Sequence, residues 1–452
     1  MGKINISLLL AFILIITSTY IFEVIYYLPS PTGDGVPFLK VSFNICRDNE
    51  FILQGGHNTI DTRFVTHGWL PYYLKAILNL NCQFGFIFLF NFLLKIITIF
   101  FAYLLLKDKI YKNYLSIFLF FIFVVQLKLQ FRPESFTLLL SVITIYLNDR
   151  RFYKFVPIFF GFLFYTQLVF FGFLALFFII YFHKTYLKLK IFIQSILIFA
   201  CTLFILDLIY PYNLIDYLEG VISGNSGTWS NGEKFDFNLF IQYYIITKIH
   251  GGGFFPLFGI IFFLLIFILS KENKLFLFSI PFLYFFSLRN IPGNYYMIGL
   301  TPVLILLSIN FDKKNYFKKS KSLNILFLFI LLVTIGGYSQ YFIKNTLTIK
   351  YFKNDYENTL SFIDNNMDKI DRFPSFAYLL NDKIELESYK VKNCQNCNKS
   401  NSKKEYNVIE ANGNKNPCPE NLLNNKDFSS KLFGKKIFNS NSGYGLYICK
   451  IN

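Results

Sequence analysis

With 452 residues, 54% of them hydrophobic and including 60 Phe and 31 Tyr, the chain has more apolar surface than one ordinary soluble core can bury. The net charge of +17 comes from lysine clusters in short loops between long apolar runs. This arrangement indicates topogenic charge in contact with anionic lipid headgroups, and it excludes nucleic acid as a partner. The pattern predicts a polytopic α-helical membrane protein.

The first apolar segment, residues 5–22, follows a lone Lys3 and lacks a clear cleavage pattern, so we expect an uncleaved helix with its N-terminus inside. A hydrophilic loop follows over residues 28–83 and contains an amphipathic piece, LPYYLKAILNL. Further spans are predicted near 84–106, 114–127, 135–147, 155–167, 168–182, 191–210, 255–269, 275–288, 295–310 and 323–338. The chain then has about 11 transmembrane helices, and 155–182 is either one long helix or two short ones.

Basic loops give the orientation of the spans. Their clusters are Lys107, Lys109 and Lys112; Arg150, Arg151 and Lys154; Lys184, Lys188 and Lys190; Lys271 and Lys274; and Lys313, Lys314, Lys318, Lys319 and Lys321. All fall on one side of the predicted topology, which is therefore expected to be cytoplasmic. The outer side receives loop 28–83, QLKLQFRPES, residues 211–254, LRNIPGNYY and the C-terminal tail. Any site is expected there, because the cytoplasmic loops are short.

The tail, residues 339–452, is rich in Asn, Lys, Ser and Asp and contains no span. We predict a transmembrane domain over 1–338, an all-α polytopic bundle, followed by a small α+β extracytoplasmic domain over 339–452. DYENTLSFIDNNMDKI is typical of a helix and YGLYICKI of a strand. Four of the seven cysteines lie in the tail: Cys394, Cys397, Cys418 and Cys449. The CxxC pair could bind zinc, but disulfides are the favoured interpretation outside the cytosol, with open connectivity.

Asp34, between two glycines in PTGDG, is the first acid after the first span and is the candidate catalytic base. The alternative is a turn residue whose carboxylate caps a nearby backbone N–H. Other acids could act in its place or beside it: Asp48, Glu50, Asp61 and Glu134.

RPE, residues 132–134, opens the fourth predicted span on the outer side. Arg132 could clamp a phosphate with two donors, and Lys128 adds charge about one turn earlier. In the alternative interpretation Arg132 reaches lipid headgroups while Glu134 complements the helix N-terminus.

RNIPGNYY, residues 289–296, forms another outer cluster. Arg289 is a second candidate for binding lipid phosphate. Tyr295 and Tyr296 are candidates for substrate contact, or members of an aromatic belt around an ordinary turn. His67 in THGWLPYY is a further substrate-contact candidate, although a lone His is more often a hydrogen-bonded loop residue.

Lys95 lies near the middle of the second predicted span, where a charge is a functional hypothesis by default. An internal structural ion pair is the alternative, with Asp207 as a candidate partner. No HExxH, paired His or Ser-His-Asp pattern is present in the sequence, so the metal, if any, is unknown.

The chain resembles the GT-C superfamily of integral-membrane glycosyltransferases, which includes protein O-mannosyltransferases and the bacterial aminoarabinose transferase of lipid A. The resemblance covers residues 5–338 and rests on GDGVPFLK, THGWLPYYLKAIL, RPESFTLLL and LRNIPGNYYMIGLTPVL in this order. One difference is that Gly35 follows Asp34, where O-mannosyltransferases carry adjacent Asp-Glu.

The resemblance implies transfer of a sugar from a polyprenyl-phosphate carrier to an acceptor on the outer side of the membrane. The catalytic acid maps onto Asp34 and the phosphate-facing arginines onto Arg132 and Arg289. It also implies an integral protein of the bacterial inner membrane whose active site and C-terminus face the exterior. Some members use a divalent cation. The alternative functions are a transporter or flippase, and a ligase or polymerase, for lipid-linked saccharides.

Overall fold

The computed structural model describes residues 35–48, 68–79, 82–110, 133–209, 352–373, 405–412 and 444–450, with single residues of 10–25, 214–218 and 325–332. This part of the chain is mostly helical. Its helices are α1 (Gly35–Asp48), α2 (Leu70–Leu78), α3 (Phe84–Ile110), α4 (Pro133–Asp149), α5 (Val156–Phe164), α6 (Leu168–Tyr181), α7 (His183–Tyr186), α8 (Leu189–Ile209) and α9 (Phe352–Asn366). A 3-10 helix (Met367–Lys369) and strands β1 (Ile370–Arg372), β2 (Tyr406–Asn412) and β3 (Tyr444–Lys450) follow.

Two compact units divide the chain. The first comprises residues 1–17, 63–74 and 93–339, and the second comprises 18–62, 75–92 and 340–452. Within the described residues, two helices are long and apolar enough to cross a membrane, over Gly85–Leu105 and Leu189–Ile209. They coincide with the spans predicted at 84–106 and 191–210. Predicted spans at 114–127, 255–269, 275–288 and 295–310 lie outside the described part of the chain.

Helix α3 buries its polar face. Its polar side chains recur at helical spacing and are buried: Asn91, Lys95 and Thr98. The large exposed side chains on the opposite face are apolar: Leu89, Leu93, Ile97 and Phe100. A surface helix of a soluble protein has the reverse pattern. Apolar side chains outward and polar ones inward are typical of helices in lipid.

Helix α4 has a similar buried polar face along its length: Thr137, Ser141, Thr144 and Asn148. The Ser141 and Thr144 hydroxyls donate to the carbonyl four residues earlier, over 2.8 Å and 2.6 Å, and the Thr137 hydroxyl lies 3.2 Å from the Pro133 carbonyl. Ser and Thr are accommodated in apolar surroundings in this way, because the helix itself satisfies their hydrogen bonds.

Residues 155–182 form two short helices that fold back on each other. The Phe160 ring lies 5.2 Å from Phe178, and the Phe164 ring lies 5.3 Å from Phe171, so α5 and α6 run antiparallel. At 9 residues, α5 is roughly 14 Å long, well short of the ~30 Å hydrocarbon core of a bilayer. The chain therefore reverses direction between α5 and α6 before α5 is long enough to cross a bilayer.

Helix α8 runs parallel to α5 and packs closely against it. A Cβ on Gly161 would lie 2.6 Å from Thr202 Cγ2, so the absence of a side chain at residue 161 permits the approach. Further along both helices Tyr165 meets Asp207, which fixes the common direction. This packing brings the C-terminal ends of α5 and α8 together.

The C-terminal strands form a three-stranded sheet in the order β1-β2-β3, with β1 parallel and β3 antiparallel to β2. The Phe362 ring of α9 lies 5.3 Å from Tyr406 of β2, and Ile363 and Val408 are buried. The segment predicted to be helical thus carries α9, and YGLYICKI carries β3.

Candidate functional site

A buried break separates α5 from α6. Tyr165, Thr166 and Gln167 are non-helical and buried, and Gln167 has an extended backbone. A helix end inside a protein leaves carbonyl groups that need donors. Two donors from elsewhere in the chain supply them: the Tyr217 hydroxyl donates to the Phe164 carbonyl over 2.8 Å, and the Leu70 N–H donates to the Tyr165 carbonyl over 3.2 Å. These donors satisfy carbonyl groups of the irregular backbone at the break.

Gly68 lies directly against this break. Its φ is +84°, and a Cβ built there would lie 2.2 Å from the Tyr165 carbonyl oxygen and 2.8 Å from that of Thr166. Only glycine satisfies both the backbone conformation and the available space. The following residue, Trp69, is buried with its ring 5.5 Å from that of Tyr165. Gly68 and Trp69 therefore pack on the α5–α6 break, and α2 starts from this point.

Two side-chain hydrogen bonds join further helices to the break. The Tyr165 hydroxyl donates to Asp207 Oδ1 over 3.4 Å, in the last turn of α8. The Thr137 hydroxyl, near the start of α4, donates to Gln167 Oε1 over 3.1 Å. Asp207, a candidate partner of Lys95, is therefore bonded to Tyr165 instead. Lys95 itself is buried, with 1% of its surface exposed.

The beginnings of α2, α4 and α6 and the ends of α5 and α8 thus meet at one place. We call it the Tyr165 cluster, composed of Gly68, Trp69, Thr137, Tyr165, Gln167, Asp207 and Tyr217. The Tyr165 and Tyr217 rings lie 5.1 Å apart. The cluster combines aromatic faces with a carboxylate that is only partly buried. Such a combination can bind hydroxyl groups of a polar ligand while its aromatic rings cover apolar parts.

A second buried tyrosine lies at the other end of α4. The Tyr186 hydroxyl donates to Asn148 Oδ1 over 3.0 Å, and the ring lies 6.1 Å from Tyr153 and 6.0 Å from Phe178. Burial raises the pKa of Tyr186, and the nearby Tyr153 raises it further, so the hydroxyl keeps its proton and remains a donor. We call Asn148, Tyr153, Phe178 and Tyr186 the Tyr186 cluster.

A disulfide joins Cys46, in the last turn of α1, to Cys82, just before α3, with a Cα–Cα distance of 5.9 Å. The Asn79 side chain shapes the chain beside it, since Nδ2 donates to the Gln83 carbonyl and Oδ1 accepts from the Gln83 N–H. Sequence reasoning named only the tail cysteines and missed this pair. The available signal was the presence of two cysteines within the predicted outer loop.

Most predicted site residues lie outside the described part of the chain: Asp34, Glu50, Asp61, His67, Lys128, Arg132, Arg289, Tyr295, Tyr296, Cys394, Cys397 and Cys418. Three lie in described elements. Asp48 ends α1, Glu134 is the second residue of α4, and Cys449 pairs with Asn407 in the sheet. In sequence, Asp34 immediately precedes α1, His67 precedes Gly68, and Arg132 precedes α4.

Sequence reasoning did not name Gly68, Trp69, Tyr165, Gln167 or Tyr217 as site residues. The glycine and the buried aromatic residues only acquire a role once the break brings them together. Among the described residues, no group of three or more His, Cys, Asp or Glu side chains could hold a metal ion.

Comparison with known proteins identified no relative. No protein-family model, curated protein sequence or solved structure matches the chain.

Proposed function

We propose that the protein is a polytopic membrane glycosyltransferase that moves a sugar from a polyprenyl-phosphate carrier to a lipid, glycan or protein acceptor on the outer side of the membrane. One observation carries the proposal. Two stretches on which the GT-C resemblance rests, THGWLPYYLKAIL and RPESFTLLL, lie far apart in sequence and both contact the α5–α6 break. Leu70 and Gly68 of the first contact Tyr165, and Thr137 of the second contacts Gln167.

The inverted distribution of polar residues in α3 supports the membrane setting. Its apolar side chains face outward, while Lys95 and its polar neighbours face inward. Helix α8 likewise exposes large apolar residues over most of its length, including Phe204 and Leu208. A multi-pass protein would place these faces against lipid.

The Cys46–Cys82 disulfide supports an outward-facing first loop. Both cysteines belong to the hydrophilic stretch 28–83. Disulfides persist in oxidising compartments and are rare in the cytosol, so the pair favours the extracytoplasmic side. The positive-inside pattern of the lysine clusters independently favours the same side.

In the proposed reaction Asp34 accepts the proton of the attacking acceptor hydroxyl. The new glycosidic bond forms at the anomeric carbon as its bond to the phosphate oxygen breaks, with inversion of configuration. The polyprenyl phosphate leaves as an anion, which Arg132, Arg289 and Lys128 would stabilise through charge-assisted hydrogen bonds. General-base catalysis of this kind contributes about 10² to 10⁴ in rate.

Asp34→Asn tests the base directly. Asp34 occupies the sequence position just before α1, where a helix N-cap would lie, and Asn caps as well as Asp does. The substitution therefore removes the base while keeping the capping ability, and we expect transfer to fall by about 10² or more. The measurement is mass analysis of envelope lipids and glycans from cells without the protein, with wild type and with the variant.

Asp149→Asn is the control, because it removes an exposed acid at the end of α4 that belongs to no candidate site. It should leave the transferred sugar in place. Wild-type product in the Asp34→Asn cells would exclude Asp34 as the base. Unchanged glycans and lipids in cells without the protein would exclude transfer itself.

The topology is tested by the disulfide. In a variant that keeps only Cys46 and Cys82, a membrane-impermeant maleimide should label intact cells after reduction and not before. Labelling that requires permeabilised cells would place the loop in the cytoplasm and remove the basis for an outward-facing site. A variant that keeps only Cys82 has no disulfide partner, and it reports whether an unpaired thiol at this position reacts without reduction under the same conditions.

Transport of a lipid-linked saccharide is the second candidate, and the buried Lys95 is the observation in its favour. The buried hydroxyls of α4 do not add to it, because their protons are engaged by carbonyls of the helix. A transporter would change the location of the saccharide and leave its mass unaltered. The mass analysis therefore separates the two functions.

A further inference from the structure

Two surface segments form one basic surface beside the Tyr186 cluster. Arg150, Arg151 and Lys154 lie in the turn after α4, and Lys188 and Lys190 lie around the start of α8; all five are exposed. The contact between the Tyr153 and Tyr186 rings brings the two segments side by side. We call these five residues the basic surface.

Within the described part of the chain, no ion pair neutralises the basic surface. Lys369 pairs with Glu405 in the C-terminal part of the chain, and Asp149, next to the turn, forms no ion pair with a described residue. Arg150 contacts the Leu104 carbonyl over 3.5 Å and lies 5.6 Å from the centre of the Tyr146 ring. These contacts orient one guanidinium without cancelling its charge.

Exposed apolar side chains accompany the cations. Phe152 and Phe155 are 53% and 52% exposed, and their rings lie 6.4 Å apart. Leu187 and Leu189 are exposed beside Lys188. A free phosphate or a nucleic acid backbone has no apolar part that could pack against these side chains. A phospholipid carries both an anionic headgroup and acyl chains in one molecule.

Arg151 provides a further observation. Its φ is 64°, in the left-handed region where glycine is the usual residue. It follows the end of α4 in a Schellman arrangement, since the Phe152 N–H donates to the Leu147 carbonyl and the Arg151 N–H to that of Asn148. Among the described residues, the Arg151 side chain forms no hydrogen bond, ion pair or ring contact that would offset this strain. A role toward an external ligand would account for arginine at this position.

We propose that the basic surface binds the headgroup of an anionic phospholipid. Arg151 donates two hydrogen bonds to the phosphate, and Lys154 and Lys188 supply further positive charge. Phe152 and Phe155 lie among the first methylene groups of the acyl chains. This site is separate from the proposed sugar transfer, and its test does not depend on that activity.

The test uses purified full-length protein in zwitterionic detergent, with the thermal unfolding midpoint measured during titration with phosphatidylglycerol. A saturable rise is expected, and phosphatidylcholine or inorganic phosphate should produce none. At about 1 kcal/mol for each cation near a lipid surface, Arg151→Gly should lower the affinity for phosphatidylglycerol roughly five-fold. The double variant Lys154→Gln/Lys188→Gln should lower it roughly 25-fold.

Arg151→Gly separates binding from a structural role, because the two readouts move in opposite directions. Without lipid its midpoint should rise, since glycine relieves the backbone strain; with lipid it should gain less than wild type. Lys369→Gln removes one charge from the C-terminal part and should leave the lipid affinity unchanged. An equal effect of phosphatidylcholine or phosphate, or unchanged affinity in both basic-surface variants, would overturn the proposal.

Discussion

The Tyr165 and Tyr186 clusters lie at opposite ends of α4, and each contains a buried tyrosine that donates to a side chain of another helix. Their surroundings differ. At Tyr165 the backbone is irregular and buried, so groups such as the Leu70 N–H and the Tyr217 hydroxyl satisfy its carbonyls. At Tyr186 the neighbouring turns reach the surface and expose cations. Backbone packing therefore stabilises the Tyr165 end of α4, whereas exposed positive charge dominates the surface at the Tyr186 end.

Helix α4 connects the two ends with a single buried polar face, from Thr137 to Asn148. The same helix thus serves both environments, and the difference arises from the segments that meet its ends. The Tyr165 end combines close backbone contacts with a partly exposed carboxylate, Asp207, which suits recognition of a polar ligand. The Tyr186 end exposes a charge pattern suited to a lipid surface.

Among the variants that test this comparison, Gly68→Ala should reduce the stability of the protein most. The added Cβ would meet the Tyr165 carbonyl oxygen at 2.2 Å, and alanine disfavours a φ of +84°. Backbone cannot yield as a flexible side chain can, so we expect destabilisation of about 3 kcal/mol or more. The measurement is the thermal unfolding midpoint of the purified protein.

Gly172→Ala is the matched control. Gly172 lies within α6 and has open space around its Cβ position, so alanine should stabilise the protein by about 0.5–1 kcal/mol. If Gly68→Ala were as well tolerated as Gly172→Ala, the Tyr165 cluster would not depend on close backbone packing. The contrast between the two ends would then be wrong.

The sequence predicted the helical class and the basic turns, because apolar runs and lysine clusters are local signals. It also identified THGWLPYYLKAIL and RPESFTLLL as candidate stretches. Their convergence could not be predicted, since it depends on where α5 ends, and 155–182 is apolar throughout most of its length. The break at Tyr165–Gln167 contains neither proline nor glycine, so no local residue type marks it.

The candidate site was predicted from charged residues, whereas the described cluster is built largely from aromatic rings and backbone groups. Asp207 illustrates the difficulty. From the sequence, Asp207 was one possible partner of the buried Lys95, yet the fold brings the Tyr165 hydroxyl to it. The Cys46–Cys82 pair was missed for a related reason: proximity of two cysteines 36 residues apart depends on how α1 meets the start of α3.

Replacing each buried tyrosine with phenylalanine gives a smaller and more specific test. Tyr186→Phe removes a 3.0 Å hydrogen bond and leaves the side-chain amide oxygen of Asn148 buried without its donor. We therefore expect the free energy of unfolding to fall by about 2 kcal/mol. Tyr165→Phe removes a longer bond of 3.4 Å, and the partly exposed Asp207 can be solvated instead. Its expected loss is about 0.5 kcal/mol.

The unfolding midpoints of the two Tyr→Phe variants, measured side by side, provide the comparison. Each variant removes one hydroxyl and keeps the ring contacts, so their difference reports the two hydrogen bonds alone. A larger loss for Tyr165→Phe than for Tyr186→Phe would mean that Asp207 is as dependent on its donor as a fully buried group. Asp207 would then be a structural anchor of the break, and the carboxylate would no longer be available to a ligand.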